Sequence, residues 1–252
     1  MRPDAPELRM WDGLAYALFL PEAETSTGVV ILHGAGSSKE SHFDFGRLCR
    51  EAGVAALAYD ARGHGRSEGA FGPSAIEDAV EMCSLLREHS PRIALRGSSL
   101  GGTLAIHAAA ADPGVAAVVA ICPAPEDLLR RGLRSGELQG FRADREALEP
   151  FLDGLDLTEA VTRLSPSTSL LLLHARGDEQ VPYTVSEELH AAAHEPKRLI
   201  LFPGGHHRSL QHDPEVQLLS LRWMEETPGD DTGGSRPRTP GGSRPTASPE
   251  GM

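Results

Sequence analysis

Between Leu8 and Glu225 the chain alternates short apolar runs with stretches of helical period. Strand-length apolar runs fall at 16–20, 28–32, 55–59, 92–95, 116–121, 170–174 and 199–202. Several are unbroken Val, Ile, Leu and Ala, the pattern of strands covered on both faces. Helical patterns fall between or after these runs, near 40–52, 75–88, 100–110, 185–194 and 214–224. Strand, turn and helix in repetition predict an α/β fold, a mostly parallel sheet with helices on both faces. The opening run near 9–20, with Asp12-Gly13 inside it, predicts an antiparallel hairpin on one edge. Pro123 to Pro166 breaks the rhythm. It holds no strand signal, only short amphipathic pieces at 126–133 and 145–152, and reads as a helical insertion at the carboxyl end of a strand. Open α/β sheets bind their ligands at that end.

The organisation is therefore one domain over 1–226, with the insertion at about 123–166. From Thr227 onward, 18 of 26 residues are Gly, Pro, Ser or Thr, and GGSRP occurs twice. A segment with so little to bury predicts a disordered tail over 227–252.

Composition removes several chemistries. A formal net charge of −12 disfavours nucleic acid as a partner, because phosphate must be met by a basic face. The apolar runs are too short to span a bilayer, and Met1 to Leu14 has no apolar core of a secretory signal. Of the 24 basic residues only Lys39 and Lys197 are lysine, neither follows a glycine, and there is no asparagine. That excludes a Walker-type phosphate loop, N-glycosylation and any site needing an Asn side chain. Cys49, Cys83 and Cys122 form no CxxC pair and read as small buried hydrophobes in a reducing cytoplasm.

G-x-S-x-G occurs twice, at Gly65–Gly69 and at Gly97–Gly101. Chance gives about 0.2 matches in a chain of this composition, so context decides between them. A serine presented as a nucleophile needs a buried strand entering the turn and a helix leaving it. Only the second match has both, so Ser99 is the candidate nucleophile and Ser67 a loop serine. A serine hydroxyl is inert near neutral pH unless a base takes its proton and an acid orients that base. The candidate acid is Asp178, just past the run at 170–174, with Glu179 beside it. The candidate base is His206 or His207, just past the run at 199–202. Composition does not choose between the two histidines.

With Ser, Asp and His in that chain order, each after a strand, the chain resembles the α/β-hydrolase superfamily from about Arg9 to Glu225. His33-Gly34-Ala35-Gly36 resembles the family's oxyanion loop. Tyr59 to Ser67 is similar to its structural D-x-R-G-x-G-x-S turn, and Asp178 to Pro182 to its acid turn. The resemblance implies that the N–H groups of Ala35 and Leu100 hold a developing oxyanion. It also makes 123–166 a lid, and it favours His207, because relatives often read Gly-x-x-His-Arg here. It implies a serine hydrolase of esterase type acting on a small-molecule acyl compound, with no cofactor. Thioesterase, small peptidase and acyltransferase chemistry use the same residues, and a non-catalytic ligand-binding protein is the alternative from another class. Serine at the turn argues against dehalogenases and epoxide hydrolases, which use aspartate there.

Other features carry blander readings. His206, His207 and His212, and His190 with His194, lack the spacing of a metal shell. His33 and His64 read as hydrogen-bonded turn residues. Arg130, Arg131 and Arg134 read as a solvated helix face balanced by Glu126, Asp127 and Glu137, with an anion-selecting role as the sharper alternative. Leu128, Leu129, Leu133, Phe141, Leu148 and Phe151 read first as packing of the insertion, then as an acyl pocket.

Overall fold

The structure, a computed structural model, describes residues 5–137 and 139–226. The expected disordered tail at 227–252 lies outside the described residues. Eight strands form one sheet: β1 (Glu7–Trp11), β2 (Leu14–Phe19), β3 (Thr27–Leu32), β4 (Ala55–Tyr59), β5 (Arg92–Ser98), β6 (Val115–Ile121), β7 (Ser169–Ala175) and β8 (Lys197–Phe202). Their order across the sheet is β1-β2-β4-β3-β5-β6-β7-β8. β2 runs antiparallel to both β1 and β4, and every later neighbour is parallel. The opening hairpin closes at Asp12 and Gly13, whose φ angles of 45° and 76° are the left-handed pair that an Asp-Gly turn accommodates.

The helices are α1 (Phe43–Glu51), α2 (Ala75–Arg87), α3 (Leu100–Ala111), α4 (Glu126–Ser135), α5 (Arg145–Asp153), α6 (Leu157–Thr162), α7 (Thr184–Ala192) and α8 (Pro214–Glu226). The alternation of each strand splits the core in two. Val30, Leu32, Leu57, Leu95 and Leu172 pack under α2 and α3. Val29, Ile31, Val119, Leu171 and Leu173 pack against Phe45 and Cys49 of α1 and Val216, Leu221 and Met224 of α8. α3 is apolar on all sides and buried almost throughout, wedged between the sheet and α2 and α6.

Two elements differ from their sequence pattern. β5 runs to Ser98 rather than Leu95, because Arg96 is buried as a strand residue. Its guanidinium lies 4.0 Å over the Phe45 ring and donates from Nη2 to Gln211 O at 3.0 Å. α6 is a helix of six residues, too short to show a period. Its signature is local: the Asp156 carboxylate accepts from Glu159 N at 2.8 Å, a helix cap. Among the described residues no helix is long and apolar enough to cross a membrane.

Residues 123–166, between β6 and β7, hold α4, α5 and α6. The arginines of α4 do not balance Glu126 and Glu137 as their spacing suggests. Arg130 pairs with Asp153 and Arg134 with Glu149, both on α5, while Arg131 pairs with Asp127 at 3.2 Å. The extended stretch after α4 is tied to the turn that follows β4. Arg142 N donates to Gly63 O, Phe71 N donates to Arg142 O, and Arg142 Nη2 donates to Ser67 O at 2.6 Å. Phe141 stacks on His64 with centroids 4.5 Å apart and meets Phe71 edge-on.

Candidate active site

Ser99 sits between β5 and α3 with φ 54° and ψ −121°, a conformation that costs a non-glycine residue energy and is held by its surroundings. Ser99 N donates to Ile121 O at 2.9 Å on the neighbouring strand. Two glycines allow the sharp turn. A Cβ on Gly97 would lie 2.0 Å from Gly101 O, and one on Gly101 would lie 2.2 Å from Leu32 O. Leu100 opens α3, so its N–H has no partner within the helix. Ala35 follows β3 in a loop whose Gly34 approaches the Ser98 carbonyl. Ala35, Ser99 and His207 line one cavity at the carboxyl ends of the parallel strands.

That loop is anchored from below. Lys39 is 2% exposed, and its ammonium contacts Asp60 Oδ2 at 2.7 Å and Glu40 Oε1 at 2.9 Å. Asp60 is fully buried and also accepts from Lys39 N and Arg66 N. Ser67 likewise has a structural place: it receives Ala15 N and donates to Asp60 O. His33 accepts from Ala61 N at 3.1 Å. Burial lowers the His33 pKa and pushes that of His64 down to about 4, favouring neutral rings, and His33 Nδ1 faces Gly34 O at 2.8 Å as a donor. They are parts of the turn, as the sequence suggests.

The loops that carry the candidate acid and base meet at two glycines. A Cβ on Gly177 would lie 2.4 Å from Gly205 O, and Gly205 has φ +95°. This contact brings Asp178 to His207: the ring donates from Nδ1 to Asp178 Oδ2 at 2.8 Å. His206 does not reach Asp178. It is exposed and caps the turn through Ser209. Glu179 accepts from His207 N at 3.2 Å, touching the backbone of that residue rather than its ring. Sequence spacing gives Glu179 no such part. Ser99 and His207 line the same cavity, and among the described residues no hydrogen bond joins Ser99 Oγ to the ring.

Burial alone would raise the pKa of Asp178. Hydrogen bonds from His174, His207, Val181 N and Gln180 N outweigh it and hold the carboxyl well below the usual carboxylate range. His174 and Cys122 are the neighbours that sequence reasoning missed. Cys122 follows β6 with φ 45°, and its sulfur lies within 4.8 Å of ligand atoms of His174 and Asp178. Among the described residues this trio alone has the closeness of a metal-binding group. Its donors and acceptors are already engaged, with His174 Nδ1 on Ser186 Oγ at 2.7 Å and Nε2 on Val181 O at 3.0 Å. Among the described residues no metal-binding group of three includes His190, His194, His206, His207 or His212.

The cavity has a volume of about 370 Å³. Apart from Ala35 and Leu129 its side chains are polar or charged, among them Ser37, Ser41, Gln139, Gln180, Gln211 and His212. Phe141 and Phe151 of the insertion pack on Phe71 instead, and Leu129 alone of the six apolar candidates reaches the cavity.

Residues 23–134 match a family described as serine aminopeptidase, S33. That stretch holds Ala35, Ser99 and Leu100 but neither Asp178 nor His207. The YfhR protein of Escherichia coli O157:H7 is 26% identical over 186 residues, which are 71% of this chain and 62% of that protein. The chain thus spans under two thirds of that relative's length. The thiohydrolase apmlB of Arthrinium phaeospermum is 33% identical over 130 residues, 47% of this chain and 42% of its own. Among solved structures, the alpha/beta hydrolase GrgF of Penicillium sp. sh18 aligns with a TM-score of 0.70 at 18% identity. The alignment covers 85% of this chain and 94% of that one.

Proposed function

We propose that the chain is a serine hydrolase of the α/β-hydrolase superfamily, cleaving a carboxylic ester or related acyl compound through an acyl-enzyme intermediate; the family match over 23–134 and the shared fold support this reading. The observation that carries this reading is the convergence on one cavity of a serine in a strained turn and a histidine ring bonded to a buried carboxylate. His207 Nε2 takes the proton of Ser99 as the Oγ–carbon bond forms. Asp178, on Nδ1, keeps the ring in the tautomer that exposes Nε2 and stabilises the imidazolium. The N–H groups of Ala35 and Leu100 donate to the oxyanion, an effect worth about 3 kcal/mol per donor in comparable sites. Collapse breaks the bond to the leaving group, which departs with the proton from His207. Water, deprotonated by the same ring, then releases the acid and restores Ser99.

The cavity's size and polar lining support a compact acyl group rather than a long chain. Residues 123–166 act as a cap over this site, with the stretch near Arg142 held down and Leu129 facing the substrate. Thioester cleavage is the second reading, favoured by the similarity to the thiohydrolase. Three buried free cysteines suit a reducing cytoplasm. The test is a panel of p-nitrophenyl esters of rising chain length, with matched thioesters and aminoacyl amides. Turnover of short esters or thioesters that Ser99→Ala abolishes is the expected result. No turnover of any member by folded protein would overturn the proposal.

A further inference from the structure

The Asp178 carboxylate is held by more than its bond to His207. Oδ1 accepts from Gln180 N at 2.9 Å and Val181 N at 2.8 Å. Oδ2 accepts from His207 Nδ1 at 2.8 Å, and on the same oxygen stands a second imidazole, His174 Nε2, at 3.4 Å. His174 is the penultimate residue of β7 and is fully buried. Its protonation pattern follows from its partners. Nε2 faces two acceptors, Val181 O and Asp178 Oδ2, so it carries a proton. Nδ1 faces the Ser186 hydroxyl of α7 at 2.7 Å, whose proton it accepts.

We propose that His174 is a positioning residue for the reaction, a second imidazole that, locked by Ser186, fixes the Asp178 carboxylate so that His207 presents Nε2 to Ser99. This rests on the serine-hydrolase reading above. The line Ser186–His174–Asp178–His207 spans two strands' loops and one helix. Each member but the last lies away from the substrate, since His174, Asp178 and Ser186 do not line the cavity. Three N–H groups donate to the carboxylate, and His174 Nε2, whose nearer acceptor is Val181 O at 3.0 Å, stands 3.4 Å from Oδ2 as a further polar contact that a turn of the carboxylate would lose. Removing His174 takes away that contact and the bond to Val181 O, the carbonyl of the residue whose N–H holds Oδ1, and so loosens the carboxylate and the His207 ring it orients. Such partners behind a reacting group act on its orientation, with losses of about tenfold or more when removed. Because His174 touches no substrate, the loss belongs to kcat and not to KM.

The experiment measures the rate at which a fluorophosphonate labels Ser99, with kcat and KM for p-nitrophenyl acetate, in wild type, His174→Leu, His174→Gln and Ser186→Ala. In His174→Leu, labelling and kcat should fall about tenfold or more while KM stays within about twofold. His174→Gln, whose amide N–H reaches toward the place of Nε2, should regain labelling to within about threefold of wild type. A merely structural histidine would lower the melting temperature of both variants without separating their kcat values. Folded His174→Leu with wild-type kcat, or equal kcat loss in the Leu and Gln variants, overturns the proposal. If His174→Leu does not fold, Ser186→Ala decides: a fall in kcat at constant KM supports it, and unchanged kcat overturns it. Failure of wild type itself to label at Ser99 is a separate outcome, which removes the serine-hydrolase reading and the positioning role with it.

Discussion

His206 and His207 are neighbours in the chain and differ in almost everything else. One is exposed and caps its own turn; the other is 8% exposed and bonded through Nδ1 to Asp178. His207→Ala should therefore lower turnover by about 10³-fold or more, and His206→Ala by less than about threefold, in the same ester assay. The proposed acid has its own signature. Because the folded pKa of Asp178 is depressed, its ionised form contributes stability that is complete above the usual carboxylate value near 3.9. That contribution is lost as pH falls through the folded value. The melting temperatures of wild type and Asp178→Asn should differ by a constant amount from pH 7 to about pH 5, then converge on further acidification. Ser99 and Asp178 were legible as candidates because each follows a strand and carries a local pattern. His174 was hidden inside an apolar run, since its place depends on Asp178 four residues on and Ser186 beyond that. Glu179 was visible as a residue but not in its contact with the His207 backbone.

At the scale of elements, the site is set by close approaches that only glycine permits. Gly177 against Gly205 joins the loops after β7 and β8. Gly177→Ala places a carbon 2.4 Å from a carbonyl oxygen and should shift the acid loop. Its kcat should drop about tenfold or more and its urea midpoint should fall as well, which ester kinetics and equilibrium unfolding read together. Lys39 shows a different balance. It touches no candidate reacting group, but Lys39→Met strands the buried Asp60 carboxylate and should destabilise the fold by about 3 kcal/mol in urea. Apolar periodicity identified the parallel strands and the long helices. It stopped short at Arg96, where a buried charge hides the end of β5, and it missed α6, whose six residues are fewer than two turns. It also misassigned the partners of the α4 arginines, because a one-dimensional pattern sees Glu126 and Glu137 but not α5 folded alongside.

Over the whole molecule, the parallel strands deliver Ser99, Asp178 and His207 to one end of the sheet from positions 79 and 29 residues apart. That end is a polar cavity of about 370 Å³, and the aromatic residues of 123–166 are spent on Phe71 and His64 rather than on lining it. The account predicts kcat/KM at least about tenfold higher for acetyl or butyryl esters than for octanoyl esters. A preference for the longer chain in the same panel would remove the compact-acyl reading and leave the proposed triad untouched. The direct test of the central claim is the intact mass of the protein after reaction with a fluorophosphonate, with the modified peptide sequenced. The account predicts one adduct, on Ser99, formed slowly in His207→Ala, at wild-type rate in His206→Ala and not at all in Ser99→Ala. An adduct that persists in folded Ser99→Ala, or none in folded wild type, would contradict it.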